Sequence, residues 1–150
     1  MEDNRFAAVG AIVLRGDEVL LVRHTYGGAA GKLLNPSGCI KKGEMPYEAL
    51  KREILEETGV EINPKGLLAV RCSVKDWWLV FLADYVSGTP NPDNHETSEA
   101  FFMSCEEAIN HPDITDATRV LIQLAKEQKL LLLNENYSKI PSSDGRVMFS

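Results

Sequence analysis

Residues 38–60 read GCIKKGEMPYEALKREILEETGV, and no other stretch constrains the chain as much. Gly38 closes the turn signal Asn35-Pro36-Ser37-Gly38. Pro46 suits the first position of a helix and Gly59 the left-handed stop that ends one, so a helix is expected over residues 46–58. Tyr47, Leu50 and Ile54 recur at helical spacing and form a core-facing stripe. Glu53, Glu56 and Glu57 stand at i, i+3 and i+4 on a neighbouring face. Like charges so placed cost about 0.2–0.5 kcal/mol per pair on an exposed helix, and the helix dipole disfavours acids near this end. The cost is accounted for if the glutamates hold a divalent cation that carries a phosphate. Mg2+ and Mn2+ take carboxylate oxygens and bridge to phosphates. The plain alternative is a solvated face, with Glu48–Arg52 and Arg52–Glu56 as surface ion pairs.

The flanking pattern describes one mixed α/β layered domain over residues 1–133. Residues 6–14 and 19–23 read as a hairpin of strands around Arg15-Gly16-Asp17-Glu18. Residues 25–32, rich in Gly and Ala, read as a mobile loop. Residues 66–74 and 77–86 form a second hairpin around Lys75-Asp76, residues 88–94 a loop, and residues 100–103 a short strand. Ser104 and Glu107 have the spacing of a capping box. Asp113 is the expected cap of a last helix reaching about Lys129, with Val120, Leu121, Leu124 and Ala125 on its apolar side. Residues 134–150 read as a mobile or docked tail.

The net charge of −6 argues against general nucleic-acid binding, which needs a basic face. It leaves a polyphosphate substrate open, because a bound cation reverses the local sign. Cys39, Cys72 and Cys105 lack pair spacing and suit a reducing compartment. The scattered His24, His95 and His111 give no zinc pattern. No apolar run reaches the roughly 18 residues of a membrane span. The opening MEDNRF carries no secretion signal, so a cytoplasmic protein is expected.

The acid-rich stretch resembles the Nudix box, Gly-x5-Glu-x7-Arg-Glu-U-x-Glu-Glu-x-Gly-U, where U is a bulky aliphatic residue. Gly38, Glu44, Arg52, Glu53, Ile54, Glu56, Glu57, Gly59 and Val60 match it without a gap. At average residue frequencies a chance match is well below about one in a million. The resemblance implies an α/β/α sandwich with a mixed sheet, the box helix and a C-terminal helix. It implies Glu53, Glu56 and Glu57 as ligands of Mg2+ or Mn2+, with the Gly38 carbonyl beside them. Arg52 and Glu44 would hold those glutamates in place. It also implies a reaction: hydrolysis of a phosphoanhydride in a nucleoside diphosphate linked to another group, by water attack at phosphorus.

The family often takes a further glutamate from a later loop. Glu96 and Glu99 are the candidates, as cation ligand or base, and Glu96 is preferred because its neighbours are less strand-like. Both also fit exposed loop acids. Arg23 and His24, at a strand end, are candidates to meet a phosphate. Trp77 and Trp78 suggest base stacking, but alternation sends them to opposite faces. Ahead of Gly38 the family usually has Trp-x-Leu-Pro-Gly-Gly. Here Leu33 replaces the aromatic residue and Ser37 a glycine, which bears on substrate fit. The expected partner is a small nucleotide-derived substrate. The alternatives are a catalytically silent nucleotide-sensing module and an RNA 5′-end pyrophosphohydrolase, and a homodimer is left open.

Overall fold

A computed structural model describes residues 3–150, with side-chain surroundings from Phe6 onward; Met1 and Glu2 of the opening sequence lie outside it. The apolar run near the start becomes β1 (Asp3–Arg15), which turns at Gly16 into β2 (Glu18–His24). These strands pair only beside their turn, Leu14 with Val19 and Arg15 with Glu18. They then diverge, and the next part of the chain fills the gap. β3 (Leu33–Leu34) pairs with β2, while β4 (Ser37–Lys41) pairs with β1, setting Val9 opposite Gly38 and Gly10 opposite Ser37. The Asn35–Gly38 turn is thereby wedged into the sheet. Its base is tied to a residue 83 positions later, for Thr118 donates to the side-chain oxygen of the fully buried Asn35 at 2.8 Å.

β5 (Glu61–Cys72) and β6 (Trp77–Ser87) form the expected hairpin, and β6 runs parallel to β1 from Ala7–Trp77 to Leu14–Asp84. β5 starts earlier than residue 66 because Pro64, which has no N–H to donate, sits where the pairing register shifts. β7 (Thr97–Ser104) joins β2 and also starts earlier, with Thr97 fully buried. The sheet is seven-stranded and mixed, ordered β3-β2-β1-β6-β5, with β4 on β1 and β7 on β2.

Alternation along the central strands divides the core into two layers. Val9, Ala11, Val13 and Phe81 pack with Leu50 and Ile54 of α1 (Pro46–Thr58). Ile12, Val80 and Leu82 face the opposite way, onto Ala108 of α2 (Cys105–Asn110) and Leu121, Ile122 and Ala125 of α3 (Asp116–Glu127). The molecule is an α/β/α sandwich.

Several local expectations are corrected. Thr115, not Asp113, caps α3, its hydroxyl accepting from the Thr118 amide at 3.2 Å. Asp113 instead accepts from Arg23 at 3.0 Å. The inward side of α3 includes Thr118 and Ile122, whereas Val120 is 52% exposed. The loop over residues 25–32 contains a 3-10 turn, Gly27–Ala29, and is pinned by the Arg23 guanidinium donating to the Gly31 carbonyl at 2.8 Å.

Beyond α3 the chain returns to the sheet. Leu131 exchanges two backbone hydrogen bonds with Leu67 on β5, at 2.8 and 3.0 Å. After α4 (Glu135–Ser138), Phe149 packs against Tyr47 and Phe81, with ring centroids 5.4 and 5.5 Å away. Among the described residues no helix is long and apolar enough to cross a membrane.

Candidate active site

α1 carries the acid cluster because it is held at both ends. Glu48 in its first turn accepts from the Met45 amide at 3.3 Å, and Gly59 ends it in the left-handed region with φ 74°. Leu50 and Ile54 are fully buried, which fixes the helix's rotation and turns Glu53 and Glu57 towards the Asn35–Gly38 turn.

Arg52 organises the cluster. Its Nε and Nη2 donate to both oxygens of Glu44, at 2.6 and 2.9 Å. Its Nη1 donates to Glu53 at 2.9 Å and Glu56 at 3.1 Å, and Nη2 also reaches the Cys39 carbonyl at 3.1 Å. The fork draws the Glu44 carboxyl below its usual range, and its own pKa is raised, first by the bond to Glu44. One planar cation thus spans three carboxylates and a backbone oxygen.

The three glutamates of the cluster are not equivalent. Glu56 is more than half exposed and lies on Arg52. Glu53 is mostly buried, and burial raises its pKa despite the Arg52 bond. Its carboxyl crowds Gly38 so closely that any Cβ there would collide with it. Glu57 is only 2% exposed, and burial pushes its pKa up to about 8. Its Oε2 accepts from the Ser37 amide at 3.2 Å, but its buried Oε1 has no hydrogen-bond partner. The closest basic atom to that oxygen is His24 Nε2, 4.0 Å away on a ring that burial keeps below its ordinary pKa.

Of the three glutamates, Glu53 lines a cavity of about 450 Å3, together with Ser37, Gly38, Cys39, His24, Tyr26, Glu96, Trp78, Arg71 and Asp76. Glu96 stands on an exposed loop built by Asp93. The Asp93 carboxylate accepts from the amides of His95, Glu96 and Thr97 at 2.8, 3.0 and 3.0 Å. Burial works against the ionised Asp93, but these bonds outweigh it and lower its pKa.

Other candidates lie elsewhere. Arg23 does not line the cavity. It pairs with Glu99 at 3.3 Å and Asp113 at 3.0 Å, so both Arg23 and Glu99 serve as braces. Strand alternation turns its neighbour His24 inward instead. Trp77 is 52% exposed and packs against Phe6, at 5.6 Å between ring centroids, while Trp78 lines the cavity. Sequence reasoning missed Tyr26, which stacks on His24 at 5.6 Å, and Arg71, which pairs with Asp76 at 2.6 Å. Nothing local marks Tyr26, but Arg71 stands near the end of β5 opposite Trp78, beside the turn that carries Asp76.

The donor set fits a hard divalent cation. It consists of carboxylate oxygens, and one buried oxygen lacks any other partner. Among the described residues no three His, Cys, Asp or Glu side chains already converge as a ready-made cage. Glu56 is engaged by Arg52, and octahedral Mg2+ characteristically takes one or two carboxylates, filling its other positions with water and phosphate.

A family model described as the NUDIX domain matches residues 4–140. The chain is 33% identical over 84 residues to human 8-oxo-dGDP phosphatase NUDT18, covering 55% of this chain and 26% of that protein. It is 30% identical over 125 residues to the NAD-capped RNA hydrolase NudC of Stutzerimonas stutzeri, covering 79% of this chain and 44% of that protein. The chain therefore spans less than half the length of either relative. A solved NUDIX hydrolase from Nitrosomonas europaea superimposes with a TM-score of 0.74 at 26% identity, over 95% of this chain and 100% of that one.

Proposed function

The chain belongs to the Nudix family, and on that premise we propose that it hydrolyses a phosphoanhydride bond in a small nucleoside diphosphate derivative, with Mg2+ or Mn2+ as cofactor. The observation that supports this most directly is Glu57 Oε1, buried and without a hydrogen-bond partner beside Glu53. A buried, unpaired carboxylate oxygen is costly in a merely structural role, and a cation removes the cost.

Glu53 and Glu57 would hold the cation, with the Gly38 carbonyl beside them, and Glu56 would join by leaving Arg52. Bound there, the cation would supply Lewis-acid neutralisation of the phosphate charge. The remaining work falls to the chain. The Ser37 amide and Arg52 hold the two carboxylates in place before substrate arrives, so little reorganisation is needed. Arg71, which also lines the cavity, offers positive charge to the other phosphate. Glu96, on the rim, accepts the proton of the attacking water as the new P–O bond forms and the bridging oxygen leaves.

The relatives' named substrates, 8-oxo-dGDP and NAD-capped RNA, are both nucleoside diphosphate derivatives, in keeping with this class. The second name favours an RNA 5′-end activity as the alternative, and the net charge of −6 weighs against it. The test is turnover of nucleoside triphosphates, ADP-ribose, nucleotide sugars, dinucleoside polyphosphates and a capped oligonucleotide, each with Mg2+ and with Mn2+. Stabilisation by a nucleotide without product from any of them would point to a sensing module.

A further inference from the structure

Between β5, β6 and the amino-terminal half of α3 lies a second cavity of about 320 Å3. Its walls are chiefly hydrocarbon, from Val70, Val80, Val120, Leu121 and Leu124. Val80 and Leu121 are buried, whereas Val70 and Val120 are 46% and 52% exposed at its mouth. A concave apolar site of this size is a favourable place for a hydrocarbon group and a poor one for water. The acid on its wall, Asp116, is engaged by Arg119 at 2.9 Å.

Two side chains line both this cavity and the acid-lined one: Trp78 and Arg71. The Arg71 guanidinium lies over the Trp78 ring, 5.5 Å from its centroid, and is anchored to Asp76 at 2.6 Å. The indole also packs against Gly10, where an added Cβ would come within 2.7 Å of Trp78 Nε1. The two cavities therefore meet at an aromatic edge that carries the Arg71–Asp76 ion pair.

We propose that the apolar cavity is a substrate subsite, taking a hydrocarbon group attached to one phosphate of the diphosphate. This rests on the proposed reaction only for the phosphate end. Glu53 and Glu57 serve the reacting phosphate, Arg71 meets the charge of the other, and the hydrocarbon passes Trp78 to lie among Val70, Val120 and Leu124. The substrate class narrows to diphosphates carrying an apolar substituent. The shared walls favour this occupant over a second copy of the chain, which would cover the two valines without using Arg71 or Trp78.

The probe is a series of monoalkyl esters of methylenebisphosphonate, methyl to octyl, titrated calorimetrically into the full chain with Mg2+. Their P–C–P bridge cannot be hydrolysed, so binding is read apart from turnover. Kd should fall about fourfold per methylene until the cavity is full. The binding heat capacity should become more negative with length. Val120→Asp and Val70→Gln, both at half-exposed positions, should flatten the series. A Kd independent of chain length, or a slope unchanged in both variants, overturns the proposal. So does a shift from dimer to monomer in sedimentation of those variants with the slope retained, which would make the face a contact between copies. A steep series in a chain that turns over none of the nucleotide panel keeps the subsite and sinks the reaction. Turnover with a flat series does the reverse.

Discussion

Arg52 grips both oxygens of Glu44, at 2.6 and 2.9 Å, although Glu44 lies in the loop that enters α1 and Arg52 in the middle of the helix. Glu44 also accepts from the Lys41 amide at 3.0 Å, so this one carboxylate joins the end of β4 to α1. Glu44→Ala leaves a largely buried guanidinium short of its main partner. Stability should drop by about 2–3 kcal/mol in urea denaturation. Turnover should fall about 10- to 100-fold, because Glu53 loses its orientation. Arg52→Lys should recover the charge but little of the activity, since an ammonium cannot span three carboxylates.

Glu57 should separate activity from stability. Glu57→Gln is expected to abolish turnover, yet to raise the melting temperature of the cation-free protein at pH 8, because it removes a charge that burial disfavours. A variant with normal rates would exclude Glu57 as a cation ligand.

The same residue sets a pH dependence. Its folded pKa of about 8 lies above the ordinary carboxyl value of 4.5, so between these values the folded chain binds more protons than the unfolded one. The stability of the cation-free protein should therefore decline as pH rises from about 5 to 8. Mg2+ should stabilise it far more at pH 8 than at pH 5, where it must compete with the proton. Calorimetric melting at both pH values, with and without Mg2+, checks both statements.

Gly38→Ala should be a selective lesion. The new methyl group would displace the Glu53 carboxyl, and a shift of that order costs about 100-fold in rate. No buried apolar contact is removed, so the unfolding midpoint should move far less than in Glu44→Ala.

Arg23→Ala should behave in the opposite way. Arg23 joins β2, the 25–32 loop and Asp113, and does not line the cavity. Loss of stability with kcat changed less than about threefold is expected. A collapse of kcat without destabilisation would return Arg23 to the substrate.

The acid cluster was legible because spacing on a helix is a local property: once residues 46–58 were helical and Leu50 and Ile54 buried, Glu53 and Glu57 had to share a face. Alternation likewise separated Trp77 from Trp78. What could not be read was pairing across the sheet. That Arg23 would meet Asp113, and that His24 would turn towards Glu57, depends on β2 diverging from β1 and admitting the 33–41 segment. The cap of α3 was missed because Asp113 and Thr115 are both good caps, and Asp113 was engaged by Arg23. The cavity side chains Tyr26, Arg71 and Asp76 come from segments distant in sequence and carry no shared pattern.

Phe149 closes an aromatic trio with Tyr47 and Phe81, so the side of α1 away from its glutamates is keyed to a residue more than ninety positions further along the chain. Phe149→Ala should therefore loosen the back of α1, with every acidic residue still in place.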